Sequence, residues 1–189
     1  MTIIYFIRHA ESNHTITDDR NRPLTDKGMA DCVLVTEYLN NKQIDVILSS
    51  PYKRAIDTII NFAESIELPI ITIEDFRERE NAWLEDNQAW QSFSKQQWLN
   101  FSYKMSGGES LAEVQKRNIV ALYDVLEKYE NKNIVIGTHG TALSTVIHYY
   151  DNTYGYEDFM AMVHLTPWVV KMSFNNLNNI GIEKINLFS

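Results

Sequence analysis

Two histidines stand directly behind short apolar runs. Arg8-His9 closes Ile3-Ile4-Tyr5-Phe6-Ile7, and His139-Gly140 closes Ile134-Val135-Ile136-Gly137-Thr138. Runs of this kind, rich in β-branched residues, read as buried strands. Polar residues at their carboxyl ends fall where open α/β sheets form ligand crevices. Two imidazoles brought to one sheet edge can meet across a single pocket, which is a catalytic arrangement. Two further groups share the placement. Ser49-Ser50-Pro51-Tyr52-Lys53-Arg54-Ala55, ending with Thr58, spans a strand–helix junction, and Phe76-Arg77-Glu78-Arg79-Glu80 follows another strand signal. Singly each is weak, because a lone histidine is usually structural and an Arg–Glu run usually solvated. Their common position is what points to a site.

The elements that must position these groups alternate. Strand signals lie at residues 2–7, 44–48, 69–73, 133–137, 168–174 and, weakly, 180–187. Thr25-Asp26 starts a helix with Cys32, Val35 and Leu39 on one face. Pro51 suits the first turn of a second helix running to about Ser65. Ser110-x-x-Glu113 reads as the capping box of a third, whose stripe is Leu111, Val114, Leu122, Val125 and Tyr129. A fourth follows His139-Gly140. This pattern predicts an α/β fold: a three-layer αβα sandwich, its sheet mostly parallel with an antiparallel edge. The chain reads as a single domain over residues 1–189. Residues 83–106 break the alternation, with Trp83, Trp90, Phe93, Trp98, Phe101 and Tyr103 crowded ahead of Gly107-Gly108. They predict a small helical cap inserted over the active edge, its aromatics forming either a local core or a substrate wall.

Composition narrows the functions. With 44% hydrophobic and 22% charged residues, the 189-residue chain can bury a substantial core. A net charge of -8 argues against nucleic acid as a partner, yet a few arginines can reverse the potential inside one cleft and admit a small phosphorylated ligand. Cys32 is the only cysteine, so no intramolecular disulfide forms; on its helix face it reads as a core residue. The first apolar run is too short for a signal peptide or a membrane span, so a soluble cytoplasmic protein is expected. Oligomeric state is not readable.

Arg8-His9, the Ser-Pro-x-x-Arg-Ala-x-x-Thr segment from Ser50 to Thr58, Glu78 and His139-Gly140 together resemble the histidine phosphatase superfamily, which includes the cofactor-dependent phosphoglycerate mutases. Gly108-Glu109-Ser110 followed by Arg117 looks like a further element of that family. The resemblance implies His9 as nucleophile, forming a phosphohistidine, with Arg8, Arg54, His139 and the Gly140 N–H around the phosphoryl oxygens. It implies Glu78 as general acid and then base. Guanidinium groups fork onto phosphoryl oxygens, so no metal and no cofactor are expected.

Several positions depart from the pattern. Ala10 replaces a glycine, and Thr15 stands where mutase-like members carry a phosphate-binding asparagine, with Asn13 or His14 as substitutes. Glu80 competes with Glu78, because in an extended segment both face one side. His14, His148 and His164 are assigned to structure or surface. The leading reading is a phosphomonoesterase acting on a small phosphorylated metabolite. A phosphoglycerate mutase, a non-catalytic phosphate-binding module and, last, a zinc hydrolase are the alternatives. Only Lys95 and Lys104 are basic within 83–106, so a substrate whose remainder is neutral or apolar is expected.

Overall fold

The computed structural model describes residues 1–80 and 87–188. Its strands are β1 (Thr2–Arg8), β2 (Val46–Ser49), β3 (Ile70–Thr72), β4 (Asn133–Thr138), β5 (Trp168–Asn175) and β6 (Asn178–Ile185). They form one sheet in the order β3-β2-β4-β1-β5-β6. The first four are mutually parallel, whereas β5 runs antiparallel to β1 and β6 antiparallel to β5. The fold is thus the mostly parallel sheet with an antiparallel edge that the sequence predicts.

The central strands are apolar on both faces because helices cover both. Along β1, Ile4 and Phe6 enter one core while Tyr5 and Ile7 enter the other, the alternation of a pleated strand. Helices α1 (Asp26–Leu39) and α2 (Lys53–Ser65) lie over Tyr5 and Ile7, contributing Val35, Leu39, Ile59 and Phe62. On the opposite face lie α4 (Leu111–Lys128), α5 (Gly140–Tyr150) and α6 (Tyr156–Met162), with α3 (Asn87–Leu99) packed outside them through Trp90 and Trp98.

Local chemistry accounts for the ends of these helices. Thr25 caps α1, accepting from the Gly28 N–H, and Ser110 with Glu113 closes the capping box of α4. Cys32 is buried on α1 and burial pushes its thiol up to about 11, so it is an inert core side chain. Gly137 of β4 has no room for a side chain: a Cβ there would fall 2.7 Å from Ser49 Oγ and 3.1 Å from the Ala55 carbonyl oxygen. That close approach lets α2 begin against the sheet.

Some elements differ from expectation. Pro51 precedes α2 instead of opening it, because Ser50 Oγ accepts from the Tyr52 N–H and makes a turn before the helix starts at Lys53. β3 is shorter than the 69–73 signal. α6 has no counterpart in the sequence reading; seven residues are too few for a periodic stripe. Of the 83–106 segment, residues 83–86, Trp83 among them, lie outside the described residues, and 87–106 are α3 followed by turns. Among the described residues no helix is long and apolar enough to cross a membrane.

Candidate active site

Strand register assembles the site. Arg8 pairs with Thr138 across β1 and β4, and Ser49 pairs with Gly137 across β2 and β4. His9, Ser50 and His139 therefore leave three adjacent parallel strands at their carboxyl ends. The ladder continues one step beyond the strands: the His9 N–H donates to the Thr138 carbonyl at 3.1 Å, and the Ser50 N–H to the Gly137 carbonyl at 2.8 Å. The two imidazoles, 130 residues apart in the chain (139 − 9 = 130), stand edge to face with ring centroids 5.3 Å apart.

His9 Nδ1 lies 2.7 Å from the Ala10 carbonyl oxygen. Burial, reinforced by the positive charges of Arg54 and Arg8, holds its pKa well below 6.5, so the ring is neutral at pH 7. His139 is fully buried and shifted the same way, by burial first and by Arg54 next. Its Nε2 lies 2.7 Å from Ser50 Oγ, while its Nδ1 is buried without a hydrogen-bond partner. The cleft beside these rings has a volume of about 760 Å³; His9 is on its wall and His139 is not.

Four arginines face that cleft: Arg8, Arg22, Arg54 and Arg79, against the carboxylates Glu11 and Glu78. A chain of net charge -8 thus carries a locally positive cleft. Arg8 Nη1 donates to the carbonyls of Met162, Val163 and Leu165 at 2.7–3.0 Å, leaving Nε buried without a partner; burial brings its pKa down to about 10. Gly140 lies against this guanidinium, since a Cβ there would meet Arg8 Nε at 3.2 Å and Cζ at 3.4 Å. Arg54, on the first turn of α2, is nearly fully buried and ion-paired with Asp19 at 3.2 Å.

Glu78 and Glu80 separate clearly. The Glu78 carboxylate lines the cleft and accepts from the backbone N–H groups of Arg79, Thr141 and Ala142 at 2.8–3.0 Å, the latter two at the amino end of α5. Glu80 is exposed and its carboxylate lies 3.4 Å from Arg77. Behind Glu78, Arg117 and Glu109 form a two-pronged ion pair with both contacts at 2.9 Å. Arg117 also donates to the carbonyls of Asp75, Arg77 and Glu78 at 2.8–3.0 Å, so one side chain fixes the backbone that presents Glu78.

Other cleft groups escape sequence reasoning. Ser12 is buried on the wall with its hydroxyl unpartnered. His14 and His164, assigned above to structure or surface, both lie on the cleft wall; His14 Nδ1 accepts from Arg22 Nη1 at 3.2 Å. His148 is structural as expected, packed on Trp98 and Phe101 with Nδ1 2.8 Å from the Tyr154 carbonyl. Of the substitutes for Thr15, Asn13 turns its side chain to Thr15 itself, which leaves His14 at the cleft. Ala10 buries its methyl beside Leu24 and Cys32, and its N–H donates to Thr58 Oγ1. Trp90 reaches the cleft, while Trp98 and Phe93 pack inward. Lys104 is engaged by Glu113, and the further cations Arg22 and Arg79 come from outside 83–106. The ground for expecting a neutral remainder is therefore removed: basic residues within one segment do not measure the charge of a cleft built from several. Among the described residues no cluster of His, Cys, Asp or Glu is arranged to hold a metal ion.

Comparison with known proteins agrees with this architecture. The chain is 28% identical over 151 residues to a Bacillus subtilis protein named uncharacterized phosphatase PhoE, covering 78% of this chain and 76% of that one. It is 27% identical over 163 residues to a metal-independent phosphoserine phosphatase of Arabidopsis thaliana, covering 77% and 67%. It is 25% identical over 183 residues to a 2,3-bisphosphoglycerate-dependent phosphoglycerate mutase of Gloeobacter violaceus, covering 88% and 78%. In fold it matches Bacillus stearothermophilus YhfR with a TM-score of 0.77 at 21% identity, covering 95% and 94%. The family model for branch 1 of the histidine phosphatase superfamily matches residues 4–176, which take in every site residue described above. By that match and by its fold, the chain belongs to the histidine phosphatase superfamily.

Proposed function

We propose that this protein is a phosphomonoesterase that hydrolyses a small phosphorylated metabolite through a phosphohistidine on His9. The observation that carries the reading is the bond between His9 Nδ1 and the Ala10 carbonyl, at the edge of a cleft lined by arginine. A carbonyl only accepts, so Nδ1 carries the proton and Nε2 keeps its lone pair. Nε2 attacks phosphorus as the phosphorus–oxygen bond to the leaving group breaks, and Glu78, protonated at that stage, gives its proton to the departing oxygen. Water then attacks the phosphohistidine, Glu78 takes the proton released, and His9 returns to its neutral form with inorganic phosphate as product. Arg8 Nε, the Gly140 N–H and Arg54 meet the charge on the phosphoryl oxygens. The unpartnered Nδ1 of His139 supports a place for it in the same cluster.

Brief exposure to labelled substrate should leave acid-labile, base-stable label on the wild type and none on His9→Ala. Activity should withstand EDTA and be inhibited by vanadate. Full turnover by folded His9→Ala, or activity lost to chelator and restored by zinc, overturns the proposal. A second reading, phosphoglycerate mutase-type transfer, is favoured by the presence of Arg22 and Arg79 beyond the phosphoryl cluster. It requires interconversion of 2- and 3-phosphoglycerate without release of phosphate.

A further inference from the structure

The loop between β1 and α1 brings a further imidazole to the cleft. His14 lies on the same wall as Arg8, His9 and Arg54. The charges of Arg54 and Arg8 act on it, and its own charge acts on His9. No strand or helix carries His14, yet its setting is fixed. The neck of the loop is closed by the Ser12–Leu24 bridge and by the Asn13 N–H, which donates to the Pro23 carbonyl at 2.9 Å. Its far side is tied to α2, where the Lys53 N–H donates to the Arg20 carbonyl at 3.0 Å. Arg20 adds a two-pronged ion pair with Glu74 at 2.9 and 2.6 Å.

Within the loop a relay runs from the phosphoryl cluster to His14. Arg54 pairs with Asp19 Oδ1 at 3.2 Å, and the same oxygen lies 3.2 Å from Arg22 Nη2. Arg22 Nε donates to the Ile16 carbonyl at 3.1 Å, and Nη1 donates to His14 Nδ1 at 3.2 Å. All three nitrogens of that guanidinium are engaged, so its direction is set. A guanidinium has donors and no acceptor, so His14 Nδ1 keeps its lone pair and the proton of the neutral ring sits on Nε2. Desolvation at the cleft wall, then the positive charges of Arg22 and Arg54, hold the pKa of His14 below 6.5, so the ring is neutral at pH 7. His9 and His14 are thus held in opposite tautomers. The carbonyl beside His9 Nδ1 leaves its Nε2 bare, as a nucleophile must be; the guanidinium beside His14 Nδ1 makes its Nε2 a donor.

Resting on the phosphomonoesterase reading, we infer that His14 donates through its Nε2–H to an oxygen of the bound phosphoryl group, with Arg22 and Asp19 as its positioning residues. The bond adds a donor without adding charge to a cluster that already holds two guanidinium groups.

Vanadate affinity measured by calorimetry, with turnover of p-nitrophenyl phosphate and of an alkyl phosphate beside it, tests this. His14→Leu should bind vanadate about tenfold or more weakly, and kcat/KM should fall by a similar factor on both esters. His14→Gln should keep most of both, because an amide accepts from Arg22 and donates toward the cleft as the imidazole does. Arg22→Met should weaken vanadate binding when His14 is present and add little once His14 is replaced by Leu, as expected of a residue that acts through its neighbour. In nitrogen NMR spectra of the wild type at neutral pH, His14 Nδ1 should show the shift of an unprotonated ring nitrogen. His14 is exposed in its loop, so these variants should fold, and their thermal midpoints check it. Unchanged vanadate affinity in His14→Leu, a loss confined to one ester, or a protonated Nδ1 overturns the inference, and additive losses in the double variant remove Arg22 from it. If vanadate binds in this His14-dependent way and no ester is turned over, the phosphatase reading falls while the role of His14 stands.

Discussion

His9 Nδ1 lies 2.7 Å from the carbonyl oxygen of Ala10, its own neighbour in the chain. The group that fixes the reactive tautomer is therefore backbone, not a third side chain. No carboxylate is needed to orient the ring, and no single substitution of a partner residue can remove the bond. Removing the imidazole itself is the decisive change, which is why His9→Ala is the first variant to make.

Both buried imidazoles give the fold an acid sensitivity. Above pH 6.5, His9 and His139 are neutral in the folded and the unfolded chain alike. As pH falls below about 6.5, the unfolded chain takes up protons that the folded one excludes until its own lowered pKa values are reached. Stability should fall with pH through that window, by on the order of 1 kcal/mol per pH unit for each histidine. His14 shifts in the same direction. Urea midpoints measured from pH 8 to 5 should decline less steeply in His9→Gln than in the wild type. Equal slopes would mean that the folded protein carries a charged His9.

Glu78→Gln replaces a carboxylate that accepts three backbone N–H groups by an amide that cannot carry the proton. Alkyl phosphates should lose about 100-fold or more in kcat. p-Nitrophenyl phosphate, whose leaving group departs without help, should lose far less. Glu80→Gln should stay near wild type on both, because that carboxylate is exposed beside Arg77. The reverse order would transfer the role to Glu80.

Gly140→Ala is a smaller change in a tighter place. Its methyl would press on Arg8 Nε at 3.2 Å, so the guanidinium must give way. We expect the affinity for vanadate and kcat/KM to fall about tenfold or more, with the thermal midpoint little altered. Unchanged vanadate binding would show that Arg8 can yield without leaving the phosphoryl oxygens.

Arg117→Met removes the two-pronged partner of Glu109 and three donations to the backbone around Glu78. Stability should drop by about 2 kcal/mol. Because Arg117 acts by positioning Glu78, kcat on alkyl phosphates should fall more than kcat on p-nitrophenyl phosphate. Equal losses on the two would leave Arg117 a purely structural role.

The sequence made the sheet legible because β1 and β4 are continuous apolar runs that end in their functional residues. Pairing of Arg8 with Thr138 then puts His9 beside His139 with no further information. Glu78 and Glu80 stayed ambiguous because alternation separates residues only within a strand. The segment after the turn at Glu74–Phe76 is irregular: the Glu78 side chain follows the α5 terminus, while at Glu80 it is the backbone N–H that donates to Glu109. Ser12, His14 and Arg22 lie in a loop with no periodicity to read. Arg79 was hidden differently: an Arg–Glu run looks solvated, and its burial is decided by Phe93 and Gln97 far along the chain.

Arg8 grips the end of α6 almost entirely through main-chain oxygens, those of Met162, Val163 and Leu165; its one side-chain contact there is Met162 Sδ. A grip on carbonyls is indifferent to what the neighbouring side chains are. Val163 and His164, both on the cleft wall and outside the buried core, can therefore be exchanged while the guanidinium keeps its hold and its aim. The recognition surface is detachable from the reactive one, and redesign of substrate preference should begin at these two positions.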